Sequence, residues 1–235
     1  MNVLAIGAHP DDLEIECFGT LARYVQRGDY VCCASVASGS LGHMTIPPEE
    51  LARIRLGEAE RAAAVIGAEY KAIGCGDMAV NYYDEDTRRK IADLMRYARP
   101  DVIITHHPDD YMNDHIETSR LVFYAAFAAT LPHYAGAIQA ASVDVVPIYY
   151  METSGGLGFV PEAYVDITGT FELKKRALEC HESQLVWLKD HDDSNPLDGI
   201  RIAAEYRGMQ SGVRYAEGFC RCRTDGRVTC GRLLP

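Results

Sequence analysis

Short apolar runs alternate with stretches of helical spacing along this chain, and that alternation limits what it can fold into more than any other feature. Val3-Leu4-Ala5-Ile6-Gly7-Ala8 carries no polar side chain, which suits a strand buried on both faces. Val102-Ile103-Ile104-Thr105 is a second such run, rich in β-branched residues. Between them the pattern predicts a helix from Leu13 to Gln26 stopped by Gly28-Asp29, a strand from Tyr30 to Val36, and a helix opened by Pro47-Pro48. That last helix holds Glu49 and Glu50 in its first turn, where the positive end of the dipole favours them, and Gly67 ends it. A strand near Tyr70 to Ile73 and a helix from about Thr87 to Arg99 follow, with Pro100 as the break. Further on, the spacing predicts a helix over Ile116 to Ala129, strands at Pro147 to Met151 and Tyr164 to Ile167, and a helix from Phe171 to Leu188. The polar stretch Asp190 to Asp198 reads as a mobile surface loop. No repeat or linker divides residues 1–235, so the expectation is one α/β domain: a mostly parallel sheet flanked by helices, with right-handed crossovers.

Composition narrows the partners. With 48% hydrophobic and 24% charged residues, the chain has ordinary globular composition and enough apolar material for a core. Its net charge of −11 opposes non-specific binding to nucleic acid or to an anionic membrane. The N-terminal stretch has no basic segment ahead of its brief apolar run, as a signal peptide would, and no later stretch is long and apolar enough to span a bilayer. A cytoplasmic protein is expected. Cys17, Cys32, Cys33, Cys75, Cys180, Cys220, Cys222 and Cys230 are then read as reduced, incidental thiols, since no C-x-x-C pair sets up a metal site.

Two loops concentrate the chemistry. In open parallel sheets, ligands bind beyond the carboxyl ends of the strands, near the point where strand order reverses. Ala8-His9-Pro10-Asp11-Asp12-Leu13-Glu14 leaves the first strand at that end, and 106–115, His-His-Pro-Asp-Asp-Tyr-Met-Asn-Asp-His, leaves the strand at Val102 to Thr105. Imidazoles and carboxylates together form a donor set that Zn²⁺ accepts. A single Pro-Asp-Asp segment can also be a turn and a helix cap, but two clusters at equivalent strand ends weigh against that. Adjacent carboxylates on non-helical backbone point in different directions. One of Asp11 and Asp12 can therefore bind the ion while the other lies against its water as general base. With one further imidazole this leaves an open coordination position, suited to hydrolysis of an amide or ester. No G-x-G-x-x-G follows the first strand, so the dinucleotide fingerprint is absent.

These residues resemble a known family. Ala8-His9-Pro10-Asp11-Asp12 with Glu14 matches the AHPDD-x-E signature of the LmbE-like (PIG-L) zinc deacetylases, and His106, Pro108, Asp110, Asp114 and His115 match their second motif. Arg55 to Ala59, Asp166-Ile167-Thr168, His181 to Gln184, Arg207-Gly208 and Tyr215 to Glu217 resemble later landmarks, so the likeness spans most of the chain. It implies a Rossmann-like fold, His9, Asp12 and His115 as ligands of Zn²⁺ or another divalent transition metal, Asp11 as general base, and Arg55 near the substrate. Asp114, beside a ligand, is read as an orienting group. The implied activity is removal of an acetyl group from a small N-acetylglucosamine-type sugar or conjugate. A homo-oligomer is expected by analogy with relatives that form hexamers.

One position departs from the pattern. Met112 stands where the family usually has a His thought to stabilise the tetrahedral oxyanion, and a thioether cannot donate a hydrogen bond. Losing one such donor typically costs roughly 2.7–4 kcal/mol. His107, Tyr111 and His43 are candidate replacements. Two alternatives therefore stay open: an amidase for another acyl-amine, and a catalytically weak protein that binds a metal and an aminosugar.

Overall fold

The computed structural model describes residues 1–134 and 143–227. Its strands are β1 (Asn2–Gly7), β2 (Tyr30–Ala37), β3 (Glu69–Cys75), β4 (Val102–Thr105), β5 (Ile148–Met151), β6 (Ala163–Asp166) and β7 (Ala216–Arg221). They form one sheet in the order β3-β2-β1-β4-β5-β7-β6. The pairs from β3 through β5 are all parallel, and β7 runs antiparallel to both β5 and β6. This is the expected α/β fold with a mostly parallel sheet.

The apolar run that opens the chain lies in the sheet interior. Val3 and Ala5 face one hydrophobic cluster and Leu4 and Ile6 the other, the period-two split that a strand covered on both sides requires. The first cluster is closed by α2 (Phe18–Gln26) and α6 (Phe171–Leu178), the second by α4 (Glu85–Ala98) and α5 (Asn113–Ala128). Strand order reverses beside β1, since the chain crosses from the β2 and β3 side to β4. The register Ile6 with Thr105 brings the segments after β1 and β4 out side by side. Both chemical loops thus leave the sheet at its switch point.

Several boundaries differ from the sequence reading, each for a tertiary reason. The helix predicted over Leu13 to Gln26 is two helices, α1 (Asp12–Glu16) and α2, separated by Cys17 at φ −142°. The break lets the first backbone N–H groups of α2 reach a buried carboxylate: Gly19 and Thr20 donate to Glu217 at 3.0 and 2.7 Å, and Lys174 Nζ neutralises it at 2.5 Å. The helix predicted over Phe171 to Leu188 is likewise α6 and α7 (Glu182–Asp192), parted around the fully buried His181. Asp190 to Asp198 is not one long loop. α7 extends to Asp192, and Pro196 opens α8 (Pro196–Ser211) behind the Asn195 side chain, which accepts from Leu197 N–H. The long helix α3 (Pro48–Ile66) ends at Gly67 as expected. Among the described residues, no helix is long and apolar enough to cross a membrane. Cys230 lies outside the described residues.

Candidate active site

α5 begins at Asn113, earlier than the sequence spacing implied, so Asp114 and His115 sit in its first turn. There they meet the loop after β1. His115 Nε2 lies 3.4 Å from Asp12 Oδ1, and His9 Nδ1 lies 3.7 Å from Asp12 Oδ2. One donor atom from each of His9, Asp12 and His115 falls within 4.8 Å of the other two. Asp12 and His115 are buried and His9 is partly open, so the group faces outward at one point.

The remaining hydrogen bonds assign the donor atoms. His9 Nε2 lies 3.1 Å from Asp114 Oδ2, which also accepts from the Met78 backbone N–H. A ring that donates Nε2–H to that carboxylate leaves the Nδ1 lone pair toward Asp12. Asp12 Oδ2 accepts the His9 backbone N–H at 2.7 Å, leaving Oδ1 toward His115. His115 Nδ1 lies 3.3 Å from Asp110 Oδ2, and neither ring nitrogen of this buried imidazole completes a hydrogen bond. A buried His115 ring with both nitrogens orphaned, beside the free Asp12 Oδ1 and the His9 Nδ1, is what a divalent transition metal would satisfy.

Titration behaviour agrees with this. Burial opposes charge on His9, but the hydrogen bond to Asp114 and the nearby Asp12 carboxylate outweigh it and raise the imidazole to about 10. For His115 burial again opposes, and Asp12 and Asp110 raise it to about 10. The carboxylates therefore create a negative site that retains protons where a cation could replace them. His106 behaves differently. Burial, then the neighbouring His115, lower it to about 4, so this ring is neutral at pH 7 and stacks on His115 with centroids 3.8 Å apart. His106, Asp110 and His115 form a second group of convergent donors, sharing His115 with the first.

Asp11 stands outside this donor group and is held by an arginine. Its Oδ1 accepts from Arg55 Nη2 at 2.6 Å, both side chains being buried, and Arg55 Nη1 donates to the Gly39 carbonyl at 3.1 Å. Gly39, at φ +72°, has no room for a side chain, because a Cβ there would lie 2.4 Å from the guanidinium. Arg55 thus holds Asp11 through one nitrogen and the Gly39 carbonyl through another. Behind it, His181 Nε2 lies 3.6 Å from Glu14 Oε2, and Glu58 accepts from both the backbone N–H and hydroxyl of Ser183.

Met112 caps the start of α5, and its backbone N–H donates to Asp110 Oδ1. The candidate replacement donors differ in their surroundings. Tyr111 is 70% exposed, His107 packs edge-on against Tyr150 and Phe159, and His43 Nδ1 accepts from the backbone of Thr45 and Ile46. Sequence reasoning gave His106 and Asp110 no separate role, although both stood in the quoted motif. Their contacts to Asp12 and His115 depend on β1 and β4 being neighbours.

Comparison with known proteins follows the same lines. The family model described as PIG-L, GlcNAc-PI de-N-acetylase, matches residues 4–126. The diacetylchitobiose deacetylase of Thermococcus kodakarensis is 32% identical, over 93% of this chain and 82% of that protein. Among solved structures, the N,N'-diacetylchitobiose deacetylase of Pyrococcus horikoshii gives a TM-score of 0.78 at 26% identity, covering 94% of this chain and 83% of the other. The 4-carboxy-2-hydroxymuconate hydratase of Pseudomonas putida gives 0.83 at 23% identity, covering 98% and 99%, a likeness of fold.

Proposed function

Because this chain belongs to the PIG-L (LmbE-like) family of de-N-acetylases, we propose that it is a zinc-dependent hydrolase removing an acetyl group from a small N-acetylglucosamine-type substrate in the cytoplasm. The observation that carries the reading is the convergence of unused donor atoms from His9, Asp12 and His115 beside the Arg55-held carboxylate of Asp11. The same fold also serves a hydratase, so amide cleavage rests on this donor set and on the family, not on the fold.

His9, Asp12 and His115 would hold the ion. When bound, it would lower the pKa of water to about 7 and polarise the acetamide carbonyl. Asp11 takes the proton from the attacking water and returns it to the leaving amine. Arg55 keeps the Asp11 carboxylate in one orientation through this cycle. Asp114 fixes the His9 tautomer, and Asp110 with the stacked His106 ring holds His115 in place.

Metal analysis with amine release from a panel of N-acetylated sugars tests this reading. The expectation is stoichiometric zinc, lost in Asp12→Ala and His115→Ala, with turnover of at least one sugar. Stoichiometric zinc with no amine released from any panel member overturns it.

A further inference from the structure

Beside the metal-ligand cluster lies a cavity of about 400 Å³ that no step above uses. It falls within the size range of small-ligand sites and far exceeds what an acetyl group fills. Ile15 and Glu16 of α1 form one wall, Glu152 and Thr153 after β5 another, and Ile200, Tyr206 and Arg207 of α8 the third. Two connections tie it to the site. Glu16 lies four residues after Asp12 on the same short helix, hence on the same face. Thr153 precedes Ser154, whose backbone N–H donates to Asp110 Oδ2, the oxygen facing His115.

The charges lining this cavity do not balance. Arg207 Nε reaches both carboxylate oxygens of Glu152 at 3.0 Å, and Nη2 adds a further contact, so that pair is internally satisfied. Lys174, a further cation whose charge reaches Glu16, is engaged by Glu217. Glu16 has no hydrogen-bond or ion-pair partner among the described residues. Burial first, then the negative potential of Glu152 and Asp12, pushes its carboxyl well above the usual range, against the opposing effect of Lys174 and His115. An unpartnered carboxyl in a field already negative favours a cationic group over a neutral hydroxyl. The apolar side chains of Ile15, Ile200 and Tyr206 complete a surface suited to one face of a sugar ring.

We propose that this cavity receives the part of the substrate beyond the scissile acetamide, and that Glu16 selects substrates bearing a second, free ammonium group. The inference rests on the deacetylase reading and sharpens it: the substrate class becomes amine-bearing N-acetylated sugars, such as partly deacetylated oligosaccharides or aminoglycoside-like conjugates.

The test is equilibrium binding by calorimetry, which needs no turnover. Chitobiose, with two ammonium groups, is compared with cellobiose, the same disaccharide with hydroxyls in their place, on zinc-loaded wild type, Glu16→Gln and Glu16→Ala. Wild type should prefer chitobiose by about tenfold or more, the scale of one charge-assisted hydrogen bond. Both variants should lose most of that preference, while any ammonium contact to Asp11 persists in all three proteins. An equal preference in wild type and variants, or no binding of either sugar to wild type, overturns the proposal. The two readings fail separately. Glu16-dependent selection with no amine release from any N-acetylated sugar would sink the deacetylase reading alone. Turnover with Glu16-independent binding would sink this one alone.

Discussion

Removing the Arg55 guanidinium while keeping much of its apolar volume, as in Arg55→Met, strips a buried carboxylate of its partner. Asp11 and Arg55 are 8% and 3% exposed at their side chains and meet at 2.6 Å, so water cannot easily replace the lost contact. Leaving one member of such a pair uncompensated costs about 3–5 kcal/mol. The Gly39 carbonyl also loses its donor, adding about 1 kcal/mol. For a chain of this size each kcal/mol lowers Tm by about 2–4 °C, so metal-free Arg55→Met should melt roughly 8–24 °C below wild type at pH 7. The discriminating arm is the double variant Asp11→Asn/Arg55→Met, in which no charge remains unpaired. Chemical denaturation of all four proteins should give a coupling of about 2 kcal/mol or more, with the double variant more stable than additivity predicts. A loss under about 1 kcal/mol in Arg55→Met, or additive losses in the cycle, would refute the view that Arg55 serves chiefly to hold Asp11.

Three further outcomes are expected. Asp114→Ala frees the His9 ring to rotate and change tautomer, so zinc affinity measured by chelator competition should fall by about 10–100-fold; unchanged affinity would show that Asp114 does not orient His9. Met112→His supplies a donor at the start of α5 and should raise turnover, whereas an unchanged rate would mean that the oxyanion is already covered by another group. Glu69 provides a pH-dependent test away from the site. Hydrogen bonds from Lys71, Tyr30 and Tyr97 hold its carboxyl down at about 2. The stabilisation it confers is therefore complete above its unfolded pKa of about 4.3 and is lost as pH falls toward 2. Because this cluster is largely exposed, Glu69→Gln should cost less than about 1 kcal/mol at pH 7, and its melting temperature should converge on wild type between pH 4.5 and 2. A gap that stays constant across that window would contradict the assignment.

The parts of the fold read correctly from sequence are those where one local signal decides. Val3 to Ala8 could only be a doubly buried strand, Pro47-Pro48 and Gly67 bracket α3, and the β-branched run at Val102 sets β4. The misread parts depend on distant partners. Nothing near Cys17 announces a break, because the carboxylate that receives the next helix start belongs to Glu217 on β7. α8 was legible in principle, since Asn195-Pro196 is a cap followed by a favoured first helical residue, but the surrounding Asp and Ser residues read as loop. In the site, the types and spacing of His9, Asp12 and His115 were visible, whereas the direction of Arg55 was not. Its helix carries several charged residues, and only the close approach of Gly39 and Asp11 shows which one turns inward. Glu16 was hidden for the same reason: its significance lies in the α8 wall opposite it.

The most direct test of the account pairs metal content with turnover in wild type and Asp11→Asn, using N,N'-diacetylchitobiose as substrate. Asp11 is not assigned as a ligand, so both proteins should carry one zinc per chain, while amine release in the variant falls by about 10²–10⁴-fold. Wild-type turnover in zinc-loaded Asp11→Asn would contradict the account, because the water would then lose its proton to a group other than Asp11.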